Sequence, residues 1–158
     1  MTGREVLGIF HAGITVSNMD RALEFYRDLL GLDVLYDREA TSPYLARLLN
    51  IQVPDIRIVF LHAGPADAAS IELLEYRSLS GSTAGHDPWD PGSGHVCFSV
   101  VNVDRLYTAV IRSGYEVRSE PVDIVSGPNF GSRAFYVKDP DGHWIELFQR
   151  PLPAGSPT

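Results

Sequence analysis

Asp139-Pro140-Asp141-Gly142-His143-Trp144-Ile145-Glu146-Leu147-Phe148 is the stretch on which the fold turns. Pro140 presets one backbone angle of a tight turn, and Asp141 and Gly142 supply the positions after it. The run that follows is rich in aromatic and branched residues and reads as a strand. Strand side chains alternate, so Trp144, Glu146 and Phe148 share one face and His143, Ile145 and Leu147 the other. Glu146 stands out among these apolar neighbours, because a buried carboxylate is costly unless something pairs with it. Taken alone it would be read as facing solvent. Ile71-Glu72-Leu73-Leu74 repeats the centre of the stretch, however, and two such glutamates call for a common explanation.

The repeat extends outward from there. His11-Ala12-Gly13-Ile14-Thr15-Val16-Ser17-Asn18-Met19-Asp20-Arg21 aligns with His95-Val96-Cys97-Phe98-Ser99-Val100-Val101-Asn102-Val103-Asp104-Arg105. Val16 falls on Val100, Asn18 on Asn102, Asp20 on Asp104 and Arg21 on Arg105. Gly31 and Gly114 follow within one residue of the same offset, and Arg77 and Arg150 come soon after the two Ile-Glu-Leu segments. So many matches in one register identify a duplicated unit.

Each unit is predicted to run β-α-β-β-β, an α+β fold. First strands are expected at 6–16 and 94–101, and helices at about 19–30 and 103–113. Asn18 and Asn102 are N-caps, Asp20 and Asp104 suit the first-turn dipole, and Gly31 and Gly114 fit C-terminal caps. Three strands follow each helix, at about 32–38, 56–63 and 69–77, then at 115–121, 132–138 and 143–149. The first copy carries an insertion, Ser42-Pro43-Tyr44-Leu45-Ala46-Arg47-Leu48-Leu49. Ser before Pro starts a helix well, so a short helix is expected near 43–50, either as a pocket wall or as a packed insertion. The chain thus divides into a first module (1–77), a linker (78–92) rich in Ser, Gly, Pro and Asp, a second module (93–150) and a disordered tail (151–158).

A chain of 158 residues, 44% hydrophobic and 21% charged, has the make-up of a soluble globular protein with one ordinary domain or two small modules. No apolar run is long enough to span a bilayer and Met1 to Val6 is no signal peptide, so no membrane partner and a cytoplasmic location are expected. The single cysteine, Cys97, excludes an internal disulfide and suits a reducing compartment. A formal charge of -7 argues against nucleic acid as a partner, though not against an anionic small molecule held by a local arginine.

His11 and His95 lie in the first strands of their units, and Glu72 and Glu146 in the last. The opposite faces carry Phe10, Ala12, Ile14 and Val16; Val96, Phe98 and Val100; Ile71 and Leu73; and Ile145 and Leu147. Those are the faces a helix would cover. The four polar residues turn the other way, toward an interior whose small neighbours include Gly13, Ser70, Ser93 and Cys97. Two imidazoles and two carboxylates on one cavity suit a divalent first-row metal and leave positions open for water or substrate. Any one of these histidines alone would be read as an ordinary core or surface residue. As a repeat-equivalent set, His11, Glu72, His95 and Glu146 read as metal ligands. His143 faces the wrong side, His62 ends a strand, His86 lies in the linker, and Cys97 is most simply a small buried thiol.

On these motifs the chain resembles the vicinal oxygen chelate superfamily over about residues 6–150. They are His11 with Val16 and Asp20, Phe25-Tyr26-Arg27-Asp28-Leu29-Leu30-Gly31, Ile71-Glu72-Leu73, Gly94-His95 to Val100, and Asp139 to Leu147. The superfamily takes in glyoxalase I, methylmalonyl-CoA epimerase, extradiol dioxygenases and bleomycin- and fosfomycin-resistance proteins. The resemblance implies two tandem βαβββ modules forming a curved, cup-shaped mixed sheet around a metal site. It is most similar to the glyoxalase I pattern, in which His11, Glu72, His95 and Glu146 take the four ligand positions. Glu72 departs from the epimerases, where Gln or a non-ligating residue often stands. Extradiol dioxygenases use three ligands, at the positions of His11, His95 and Glu146, and the metal-free resistance proteins lack the set.

The activity so implied is that of a metal-dependent lyase or isomerase, lactoylglutathione lyase-like or methylmalonyl-CoA epimerase-like. A divalent ion (Ni, Zn, Co, Mn or Fe) holds vicinal oxygens of a small-molecule substrate, and a carboxylate moves a proton next to the carbonyl. Glu146 is the first choice of base, Glu72 the second and Glu39 a remote third. Arg133 is a candidate either for an anionic substrate group or for a surface salt bridge, and Trp144 and Phe148 are candidate substrate contacts on the Glu146 face. The alternatives are a single-chain non-haem Fe(II) ring-cleaving dioxygenase and a drug- or metabolite-binding resistance protein. A homodimer is expected, since modules of this family pair within or between chains and half-cups leave edges to cover.

Overall fold

The computed structural model describes residues 5–52, 54–64, 69–79, 81–82 and 87–151. The chain divides after Ser82 into two compact units. That boundary falls within the stretch read as a linker; His86 and residues 152–158 of the expected tail lie outside the described residues.

The first unit contains β1 (His11–Thr15), α1 (Met19–Leu23), β2 (Asp33–Ala40), α2 (Pro43–Leu49), β3 (Ile56–His62) and β4 (Ser70–Tyr76). Helix α1 continues into a wider π-helical turn over Glu24–Leu29, in which the Leu30 N–H donates to the Phe25 carbonyl at 3.0 Å. The sheet order is β1-β4-β3-β2, with β1 parallel to β4 and the other pairs antiparallel. One face, carrying Ile14, Val59, Leu61, Ile71 and Leu73, is buried, as are Met19, Ala22, Leu23, Phe25 and Tyr26 of the helical segment. The insertion α2 belongs to the other face. Its Leu45 packs with Ala40, Ile56, Ile58 and Phe60, against Leu74 and Tyr76. Phe60 pairs with Glu72 and Ile58 with Leu74 in the ladder, so this is the face on which Glu72 stands.

The second unit contains β5 (His95–Ser99), α3 (Val103–Arg112), β6 (Val122–Asp123), β7 (Arg133–Lys138) and β8 (Trp144–Gln149). Its order, β5-β8-β7-β6 with β5 parallel to β8, reproduces that of the first. Phe135, Val137, Ile145 and Leu147 are buried, and Tyr107 of α3 meets Phe135 edge to face at 5.4 Å. Asn18 and Asn102 cap their helices by accepting the N–H of Arg21 and Arg105, each at 2.9 Å. Among the described residues no helix is long and apolar enough to cross a membrane.

Two expectations need correction. The first strand begins at His11, not at residue 6. β4 starts at Ser70, opposite His11, and among the described residues those before His11 are paired with no strand. Val6, Leu7, Ile9 and Phe10 are accordingly exposed, and Phe10 is not under a helix. The strand expected over 115–121 is reduced to a bridge at Val117 and to bonds of 2.9 Å (Arg118 N–H to Tyr136 O) and 2.8 Å (Lys138 N–H to Glu116 O). Regular pairing resumes only at β6, beyond Pro121, which has no N–H to offer a ladder.

The duplication runs deeper than the matched sequence. Arg57 joins Asp20 in the first helical turn (2.7 Å) to Asp37 on β2 (3.0 and 2.7 Å). Arg133 does the same in the second unit, joining Asp104 to Asp123 on β6, each at 2.9 Å. The start of each helix also has a matching acceptor from the last strand. Met19 N–H donates to Glu75 Oε1 at 3.2 Å and Val103 N–H to Gln149 Oε1 at 2.7 Å. These contacts tie helix to sheet at the same two places in both units.

The Asp139 turn between β7 and β8 sets where Glu146 falls. Asp139 is buried, and its Oδ1 accepts the N–H of Asp141 (2.9 Å) and of His143 (2.8 Å). Gly142 adopts φ 88°, which only glycine takes without strain. Asp139→Ala would leave the two part-buried N–H groups of Asp141 and His143 without their acceptor, so we expect a stability loss of about 1–3 kcal/mol by urea denaturation. Asp139→Asn keeps the acceptor and should lose less than half as much. A loss below about 0.5 kcal/mol for the alanine variant would contradict this role for the side chain.

Candidate metal centre

In the first unit the parallel register pairs Gly13 with Glu72 and His11 with Ser70. That offset sets His11 beside the glutamate, and its Nε2 lies 3.0 Å from Glu72 Oε2. Gly13 lies beside the carboxylate: a Cβ there would make ordinary van der Waals contact with Glu72 Oε2 at 3.7 Å and Leu74 Cδ1 at 3.6 Å. The His11 ring is held between edge contacts from Phe10 (5.4 Å) and Phe60 (5.3 Å), and Phe60 is stacked on Tyr36 at 4.7 Å.

The second unit repeats the construction. Cys97 pairs with Glu146 and His95 with Trp144, and His95 Nε2 lies 3.2 Å from Glu146 Oε2. Tyr136 of β7 stands opposite Glu146 in the ladder, as Phe60 stands opposite Glu72, and meets the His95 ring at 5.1 Å. The Tyr136 hydroxyl lies 3.4 Å from His95 Nε2. Burial, reinforced by the Glu146 carboxylate, pushes this phenol up to about 12. Partial desolvation of the sulfur, reinforced by the Glu146 carboxylate, pushes the Cys97 thiol up to about 12, while the residue as a whole is exposed and not the buried thiol expected. A thiol so raised stays protonated near neutrality.

The two glutamates are only 16% and 18% exposed, so each carboxylate needs a cationic or hydrogen-bonding partner. Ligands about 2.0–2.2 Å from one ion stand roughly 3.0–3.5 Å apart at octahedral or tetrahedral angles. The His–Glu separations of 3.0 and 3.2 Å lie in that range, and imidazole nitrogen with carboxylate oxygen is a donor set for divalent ions. The residues therefore fit such an ion. Among the described residues no group of three or more His, Cys, Asp or Glu side chains is gathered closely enough to hold a metal ion. Each unit carries one His–Glu pair.

A family model described as the Glyoxalase/Bleomycin resistance protein/Dioxygenase superfamily matches residues 8–147. The chain belongs to this superfamily. It is 30% identical to a 2-epi-5-epi-valiolone epimerase from an Actinomyces species over 99% of this chain and 87% of that one. It is also 30% identical to a lactoylglutathione lyase from Arabidopsis thaliana over 89% of this chain, but spans only 43% of that longer protein. The crystal structure of a glyoxalase family protein from Bacillus cereus superposes with a TM-score of 0.80 at 19% identity, over 95% of this chain and 98% of that one.

The remaining candidates of this superfamily member divide by face. Arg133 is on the side of β7 turned to α3, where its guanidinium is engaged by Asp104, Asp123 and the Pro121 carbonyl. The structure does not bring it to the His95–Glu146 pair, and its repeat mate Arg57 explains its place. Trp144 is buried on the Glu146 face, with Lys138 Nζ 4.8 Å and the Arg118 guanidinium 5.9 Å from its ring. Phe148 shares that face and is half-buried. Glu39 is exposed and paired with Arg77 at 2.7 Å. His62 ends β3, and burial lowers the pKa of His143, beyond the start of β8. Sequence reading missed Tyr136 and Phe60, although their common position three residues after Arg133 and Arg57 was a usable signal.

Proposed function

We propose that this chain is a metal-dependent lyase or isomerase that moves a proton on a carbon next to a carbonyl, with His11, Glu72, His95 and Glu146 as the two halves of one divalent-metal site. The observation that carries the proposal is the matched pair: a histidine Nε2 and a glutamate Oε2 at the same register position of both units, 3.0 and 3.2 Å apart. The bound ion supplies Lewis-acid stabilisation of the negative charge that develops on the substrate oxygen. The rest falls to the protein. Glu146 takes the proton, the electrons of the broken C–H bond move onto the carbonyl oxygen, and the same carboxylate returns the proton to that carbon or its neighbour. Glu146 is favoured over Glu72 because its ladder partner Tyr136 brings a hydroxyl to the His95–Glu146 pair, where Phe60 brings only an apolar ring to His11–Glu72. Trp144 and Phe148 provide apolar surface on the same face for the substrate.

Relatives named as an epimerase and as lyases support this class, and both kinds are matched over most of the two chains compared. A fourth protein ligand, Glu72, weighs against the three-ligand oxygen chemistry of a dioxygenase. To test the proposal, the metal-loaded protein is incubated in deuterated water with glutathione hemithioacetals, acyl-CoAs and 2-epi-5-epi-valiolone, and the carbon-bound hydrogen is followed by NMR together with product. Turnover or deuterium incorporation that stops on chelation is the expected result. Oxygen uptake with ring opening of catechols would overturn it in favour of a dioxygenase. Ligand binding without turnover or exchange across the panel would favour a binding protein.

A further inference from the structure

The two half-sites differ at one place that bears on chemistry. Phe60 and Tyr136 occupy equivalent positions, each opposite the glutamate in its ladder and each with its ring edge-on to the histidine, at 5.3 and 5.1 Å. Only Tyr136 carries a hydroxyl. That oxygen lies 3.4 Å from His95 Nε2, the same nitrogen that faces Glu146 Oε2 at 3.2 Å, so hydroxyl, imidazole and carboxylate form one cluster. The equivalent cluster in the first unit has an apolar ring in the hydroxyl's place, with Tyr36 stacked on it.

We propose that Tyr136 is a positioning residue for Glu146, and that its hydroxyl makes the second unit's glutamate the one that moves the proton while Glu72 serves only as a ligand. This rests on the metal-dependent proton-transfer reading above. When His95 Nε2 is committed to an ion, its lone pair is no longer available to the Tyr136 hydroxyl, and the Glu146 carboxylate is the acceptor left in the cluster. A carboxylate oxygen has two lone pairs, so a hydrogen bond donated to the same oxygen that would hold the ion fixes the plane of the group and leaves the other oxygen for the substrate proton. Phe60 can offer Glu72 no such bond. Tyr136 is anchored for the task by its edge contact with buried Trp144 at 6.5 Å, so the hydroxyl has a defined direction.

The test compares the wild type with Tyr136→Phe, which gives the second unit the side chain the first has at Phe60. Three quantities are read: the dissociation constant for Co2+ by chelator competition, the melting temperature of the metal-free protein, and kcat and KM for the hemithioacetal and 2-epi-5-epi-valiolone probes. Loss of an orienting partner of this kind typically costs about 10- to 100-fold, and that loss is expected in kcat, with KM and the Co2+ constant within about threefold of wild type and the melting temperature unchanged. A kcat within about threefold of wild type would overturn the proposal. So would a Co2+ affinity weakened in step with kcat, since Tyr136 would then act by holding His95. A wild type that binds Co2+ but turns over no probe rejects the proton-transfer reading and this inference with it. Turnover in the wild type that survives Tyr136→Phe rejects this inference alone.

Discussion

Glu146→Gln is expected to lower kcat by about a thousandfold, within the 10²–10⁴ that a positioned general base contributes. The substitution preserves shape and hydrogen-bonding reach but removes the basic oxygen. It should leave the fold intact, because Glu146 lies on the face of β8 opposite the buried Ile145 and Leu147. Glu72→Gln should cost less turnover per bound metal, because Glu72 in this account holds the ion and takes no proton. The comparison is made on metal-loaded variants, with metal content and kcat reported for each. If Glu72→Gln proves the more damaging at full occupancy, the base belongs to the first unit.

Removing the ion should take turnover to background, and His95→Ala should do the same without any chelator. Lewis-acid stabilisation of several kcal/mol corresponds to a loss of about 10³–10⁴-fold. His95 is a sound place to test this, since its side chain is 40% exposed and its removal creates no buried cavity. Adding back Zn2+, Co2+, Ni2+ or Mn2+ should restore the chelated wild type and fail to restore His95→Ala. Activity of the variant above a tenth of wild type would contradict a role for this ligand.

Much of this was legible because the duplication lets each half of the chain corroborate the other. The helix caps at Asn18 and Asn102 and the Asp139 turn follow from local chemistry, and the hydrogen bonds are as expected. The His–Glu pairs followed from strand alternation, which says which side chains share a face. Alternation does not say where a ladder begins. That depends on the partner strand, and this is why the first strand starts at His11, opposite Ser70. The irregular 115–121 segment has a different cause: its partner β7 is present, but Pro121 has no N–H with which to continue the pairing. The ion pairs of Arg133 were not legible in the sequence because its acceptors, Asp104 and Asp123, are remote along the chain and become neighbours only when helix and edge strand meet. Its duplicate, Arg57, between Asp20 and Asp37, identifies it as a clamp. Tyr136 escaped notice because the repeat was matched at its first and last strands and not at the strand between them.

The count of metal ions per chain addresses the central claim most directly. Each chain supplies two His–Glu pairs, and if two pairs make one site the wild type binds about one divalent ion per chain, whether the pairs come from one chain or from two. Elemental analysis of wild type, His11→Ala and His95→Ala after dialysis gives the number. The account predicts about one ion for the wild type and less than about a tenth for each variant, because either loss disables the shared site. Two ions in the wild type, or an ion retained after either substitution, would show that the half-sites act separately and would contradict the account.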